Sequence, residues 1–139
     1  MRVKQPTVGG VIKINEYVCR EGGNPHRLLA GASGKVESAL HSAFYPGTAP
    51  FVHGGVAGIA GALTFYLTQA HAFQDGNKRT AAITGSTFME MNGWELKYAI
   101  DEKTGRNDFA EIILKCASGK ASKDEVIKWF EDHKVKAKE

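Results

Sequence analysis

The stretch His71-Ala72-Phe73-Gln74-Asp75-Gly76-Asn77-Lys78-Arg79-Thr80-Ala81 separates two long helical patterns and concentrates the polar chemistry of the chain. From about Phe51 to Ala70 the residues are apolar and small, with Val56, Ala57, Ile59, Ala60, Ala62, Leu63, Phe65, Tyr66 and Leu67 at a helical period. Gly54, Gly55, Gly58 and Gly61 each lower helix propensity there. Such a helix needs burial on most sides, so the spacing predicts the central helix of an all-α domain. A second helix is expected from about Asn77 to Met91, with Ala81, Ala82, Ile83, Phe88 and Met89 on its apolar side and Asn92-Gly93 as its stop. Between the two, Gly76 breaks the helical run, and Phe73 is expected to plug the loop into the core.

That break places a helix start beside a histidine. The amides of Gly76, Asn77, Lys78 and Arg79 open the new helix without intrahelical partners. Together with the helix dipole they form an anion site, and phosphate is the natural guest. Glycine lets an anion approach the backbone closely, and Lys78 and Arg79 add positive charge at the same place. Cations at a helix start oppose the dipole, so stability gives no reason for them. His71 stands at the rim as a candidate base for a hydroxyl nucleophile. Asp75 is a hard oxygen ligand suited to Mg²⁺ against substrate phosphates. Base, charge and positioning groups are what phosphoryl or nucleotidyl transfer requires. Taken singly, each residue reads as a cap, a turn or a solvated charge; the combination at this spacing points to a site. Zinc is not expected, because two ligands without a cysteine or a second close histidine fall short. His26, His41, His53 and His133 are scattered and are assigned no role.

The rest of the chain reads as scaffold. Its 139 residues suit one domain with a single core, and 42% hydrophobic content is enough to fold it. A net charge of +3, with no basic run interleaved with aromatics, gives no basis for direct nucleic-acid binding. No apolar run reaches the roughly twenty residues of a membrane span, and none follows Met1-Arg2-Val3-Lys4-Gln5-Pro6 as in a signal peptide. A cytoplasmic protein is therefore expected. Cys19 and Cys116 lie on apolar stripes without CxxC spacing and are expected as buried thiols.

A first helix is expected from about Val11 to Arg20, between the breakers Gly9-Gly10 and Gly22-Gly23-Asn24-Pro25. Ser33 is expected to cap a second, with Val36, Ala39, Leu40 and Ala43 on one face and Pro46-Gly47 at its end. Trp94-Glu95-Leu96-Lys97-Tyr98 alternates like a short extended piece. Asn107 is placed to cap a helix carrying Phe109, Ile112, Ile113 and Cys116, ending at Gly119. Ser122-Lys123-Asp124-Glu125 forms a capping box before Val126, Ile127 and Phe130. The basic tail Lys134-Val135-Lys136-Ala137-Lys138-Glu139 is expected to be frayed and solvated. The total is about six helices with little strand.

The stretch from His71 to Ala81 resembles the signature of the Fic/Doc (Fido) family, His-x-Phe-x-Asp/Glu-Gly-Asn-x-Arg, matched at His71, Phe73, Asp75, Gly76, Asn77 and Arg79. Asn77-Lys78-Arg79-Thr80 resembles the death-on-curing (Doc) branch in particular, as does, more loosely, Val36-Glu37-Ser38-Ala39-Leu40. The resemblance implies one all-α Fic/Doc domain over 1–139 with the motif on a helix-loop-helix. It implies an enzyme, a phosphotransferase or nucleotidyltransferase acting on a protein hydroxyl. ATP would be the co-substrate and Mg²⁺ the cofactor. His71 would be the base, Asp75 the metal ligand, and Gly76, Asn77, Lys78 and Arg79 the phosphate grips. Typical Fic members transfer AMP and carry a second arginine three residues after the first. Ala82 occupies that position here, and Lys78 replaces the usual glycine. Both departures favour the Doc-type transfer of the γ-phosphate over AMP transfer. The Doc branch implies a toxin kinase acting on elongation factor Tu and silenced by a small antitoxin protein.

The arginine expected just before the histidine in Doc is missing, and Gln69 and Ala70 stand there. Ser33-Gly34-Lys35-Val36-Glu37-Ser38 comes near the inhibitory helix of some Fic proteins but ends in Ser, so Glu37 is expected as an ordinary helix residue and inhibition is expected in trans. The competing reading is a non-catalytic module that keeps the groove for a partner peptide.

Overall fold

The computed structural model describes residues 3–45 and 53–138. Six helices account for nearly all regular structure: α1 Val8–Glu21, α2 Ala32–Phe44, α3 Val56–Ala70, α4 Asn77–Met91, α5 Asp108–Ala117 and α6 Lys123–His133. Two short strands, β1 Trp94–Leu96 and β2 Lys134–Lys136, pair antiparallel. The all-α class follows from the sequence pattern, and so does the centre. α3 packs against α2, α4, α5 and α6, and residues from Val56 to Thr64 are buried without interruption. Burial on nearly every side compensates for the poor propensity of its glycines.

Those glycines are where the neighbours come close. A Cβ on Gly61 would lie 2.7 Å from Ile127 Cα, so α6 rests on bare backbone there. A Cβ on Gly85 of α4 would collide with Thr64 Oγ1, whose hydroxyl donates to Ala60 O at 2.8 Å. The small residues therefore set how near α4 and α6 approach α3. Around this contact Phe44 meets Phe88 edge-on, with ring centroids 5.1 Å apart. Phe109 of α5 stacks on Trp129 of α6 at 5.2 Å.

Helix ends follow local chemistry, with some departures from expectation. Asn107 caps α5 by accepting from Ala110 N–H at 2.7 Å. Ser122 and Glu125 form the reciprocal capping box of α6. α1, however, begins three residues early. Thr7 caps it by accepting from Gly10 N–H, so Gly9-Gly10 form its first turn rather than a break. Ser33 does not cap α2. Gly31, at φ 75°, occupies that position, and Ser33 lies inside the helix. Val36, Ala39 and Ala43 are buried on one face as expected. The expected stop at Pro46-Gly47 and the expected helix start at Phe51 lie outside the described residues; α3 is described from Val56, behind Gly55.

The basic tail is also corrected. Lys134–Lys136 forms a strand against Trp94–Leu96. The Lys134 and Lys136 ammonium groups stand 5.3 and 5.9 Å from the Trp94 ring centroid. Lysine stems cover an aromatic face while their charges stay in water, so a run that looks merely solvated is anchored. No helix among the described residues is long and apolar enough to cross a membrane.

The close contact between α3 and α6 gives a direct test. Gly61→Ala should lower unfolding stability by about 1–3 kcal/mol, because the obstructing atom is main chain and cannot rotate away. Chemical denaturation reads this, and a neutral or stabilising result would show that α6 can move off α3.

Candidate active site

The candidate site is built at the junction of α3 and α4. α3 stops at Ala70 because His71 adopts a left-handed conformation, φ 47° and ψ 48°. It is the one non-glycine residue at positive φ among the described residues. This conformation is uncommon outside glycine, costs roughly 1 kcal/mol, and clusters at functional sites. Gly76 is left-handed as well, at φ 78°, and caps α4. A Cβ there would lie 2.9 Å from Val18 Cγ1 and 3.2 Å from Asn15 Nδ2, so both conformation and space require glycine.

Four ties hold the intervening loop. Phe73 is buried and anchors it in the core, as its apolar character between polar neighbours suggests. Asn77 braces it from within: its Oδ1 accepts from Phe73 N–H at 3.1 Å and its Nδ2 donates to Phe73 O at 2.7 Å. Asn15 of α1 braces it from outside. Its Nδ2 donates to Asp75 O at 2.8 Å and to Thr80 Oγ1 at 3.1 Å. The segment before α2 adds a strap, with Leu29 N–H donating to Ala72 O and Gln74 N–H to Arg27 O, both at 3.1 Å.

The result is a cleft of about 470 Å³. His71, Asp75, Gly76, Asn77, Lys78 and Arg79 all line it, so every candidate residue from the sequence reaches one cavity. His71, Lys78 and Arg79 are exposed. Among the described residues neither cation forms an ion pair, and the Asp75 carboxylate has none either. The first closed turn of α4 is Thr80 N–H to Gly76 O at 2.8 Å, which leaves the preceding amides free to face an anion. The Asn77 side chain is engaged with Phe73, so any contact it makes with a phosphate falls to its main-chain N–H.

Asp75 offers one carboxylate oxygen donor to the cleft. No group of three His, Cys, Asp or Glu side chains gathers anywhere among the described residues. Asp75 is a single hard ligand, suited to Mg²⁺ that takes its other oxygens from water and substrate phosphates.

Other residues fall where their chemistry explains them. Gln69 turns away from the cleft and donates to Cys116 O at 2.8 Å, joining α3 to the end of α5. Glu37 is exposed on α2 and does not line the cleft. Ala82 lies in a separate apolar groove toward Tyr98 and Phe109, which meets the cleft at Lys78 and Arg79. Both thiols are buried and free. Burial, and then the nearby charge of Asp75, pushes the Cys19 thiol up; burial does the same to Cys116.

Asn15 is the residue that motif reading misses. The signal was present: Val11, Asn15, Val18 and Cys19 form one buried stripe of α1, and Asn15 is 0% exposed. An amide at a core position requires a buried partner. Asn15→Ala should cost about 1–3 kcal/mol, since it leaves Asp75 O and Thr80 Oγ1 short of a donor. Urea unfolding measures this, and a loss under about 0.5 kcal/mol would remove Asn15 from the loop's support.

A search of the curated proteins finds no match to this chain. The Fic/DOC family model, by contrast, matches residues 7–89, from the cap of α1 through nearly all of α4. The match includes the left-handed histidine, the glycine cap and the two free cations whose geometry is given above. Members of this family are in general transferases that modify protein targets. On that match, over more than half its length, the chain belongs to the Fic/DOC family.

Proposed function

We propose that the chain is a Doc-like enzyme that transfers the γ-phosphate of ATP to a hydroxyl of a protein target. The observation that carries this reading is the convergence in one cleft of unpartnered helix-start amides, two unpaired cations and an exposed imidazole. The amides of Gly76 to Arg79, with the Lys78 and Arg79 side chains, hold the phosphates by charge and hydrogen bonds. Asp75 provides an oxygen ligand for Mg²⁺, which when bound neutralises phosphate charge. His71 accepts the proton of the target hydroxyl as that oxygen bonds to the γ-phosphorus. The bond from the γ-phosphorus to the bridging oxygen breaks, and ADP leaves.

Phosphate transfer is favoured over AMP transfer by Ala82 and Lys78. At Ala82 the surface of α4 turns apolar, where a second arginine would hold a further phosphate. Lys78 is an exposed cation where the usual glycine would leave open space. By its resemblance to Doc, the target is a translation factor, elongation factor Tu first, and a small antitoxin silences the enzyme. Control in trans is supported by Glu37, which does not reach the cleft. The C-terminal helices beyond the matched residues pack on α3 and α4, which supports treating 1–139 as one domain.

The purified chain, incubated with Mg²⁺, a translation-factor mixture and ATP labelled at either the γ or the α phosphate, should place label on protein from the γ position alone. His71→Ala should reduce that labelling by on the order of 10²-fold to 10⁴-fold. Label from the α position would assign AMP transfer instead. No label from either would favour a binding module that retains the groove.

A further inference from the structure

Thr68 stands on the last turn of α3, three positions before His71. It is 1% exposed, yet it lines the same cleft as His71 and the start of α4. Its Oγ1 is the one buried side-chain oxygen or nitrogen without a hydrogen-bond partner among the described residues. The three other buried threonines differ. Thr64 donates to Ala60 O, Thr84 donates to Thr80 O, and Thr80 accepts from Asn15. A buried threonine late in a helix ordinarily satisfies itself on the carbonyl four residues back, as Thr64 and Thr84 do. Thr68 does not. Burial pushes the Cys116 thiol up, and contacts from Gln69 and then the Thr68 hydroxyl offset part of that push. A thiol is a weak partner, and Oγ1 makes no hydrogen bond of ordinary geometry to it.

A buried hydroxyl left without a partner is costly, and replacement by an apolar group of the same shape is neutral or stabilising. A cleft-lining position that keeps such a hydroxyl implies a partner arriving through the cleft. We propose that Thr68 is an additional ligand-binding residue, its Oγ1–H donating to a phosphate oxygen held at the start of α4. This rests on reading the cleft as a phosphate site. The class of ligand is a phosphate oxyanion, whether inorganic phosphate or the phosphates of a nucleotide. The hydroxyl adds a neutral donor from α3 to the amides and cations supplied by α4. The anion is thereby gripped from both helices.

The test compares wild type, Thr68→Val and Thr68→Ser by thermal unfolding and titration calorimetry, with inorganic phosphate and with ATP and Mg²⁺ as probes. Thr68→Val should melt at or above the wild-type temperature without ligand, and bind both probes roughly ten-fold more weakly. Thr68→Ser should bind within about three-fold of wild type. Unchanged affinity in Thr68→Val overturns the inference, and so does a marked loss of stability or of folding in that variant, since that loss makes the hydroxyl structural. If wild type responds to neither probe, the reading of the cleft falls, and the role of Thr68 with it. A wild-type response matched by Thr68→Val removes Thr68 alone.

Discussion

The site depends on how tightly α4 can be turned back against α3. Gly85 and Gly61 let α4 and α6 approach the backbone of α3 more closely than any side chain permits. With α3 and α4 held so near, the connection from His71 to Gly76 must reverse in a few residues. Two left-handed positions, one at each end, make that reversal possible. Asn77 ties the loop to itself and Asn15 ties it to α1. The end of α3 and the start of α4 thus open on one cleft. The imidazole and the free amides at the start of α4 share a rim because the chain reverses between two left-handed residues there.

Several features of the cleft oppose stability. His71 holds a conformation that favours glycine. Lys78 and Arg79 sit at the positive end of a helix with no acidic residue in its first turn. Thr68 buries a hydroxyl without a partner. α5 and α6 follow the ordinary rules: Asn107 and Ser122 cap their helices, α5 has Asp108 and Glu111 in its first turn, and Lys115 lies in its last. Several local rules broken together in one place are the pattern expected of a functional site.

Much of this was legible in the residues. The bounds of α4 and the caps of α5 and α6 follow from apolar period and short polar signals, which act within a few residues. The motif residues reach one cleft because they are adjacent in sequence and straddle one helix break. What escaped depends on contacts distant along the chain. Gly9-Gly10 read as a break until Thr7 is seen to close the turn over them. Lys134–Lys136 read as a tail because its partner, Trp94–Leu96, lies about forty residues away and gives no local sign. Asn15 supports the loop and Thr68 lines the cleft through packing between helices, and periodicity marks such positions only as core.

The central claim is that the start of α4 grips phosphate with His71 alongside. Amide chemical shifts of the ¹⁵N-labelled chain, followed through a titration with ATP and Mg²⁺, test it most directly. The account predicts saturable shifts concentrated at Gly76, Asn77, Lys78, Arg79 and His71. Saturation with the largest shifts on α2 or in the β1–β2 pair, and these five amides unmoved, would contradict it.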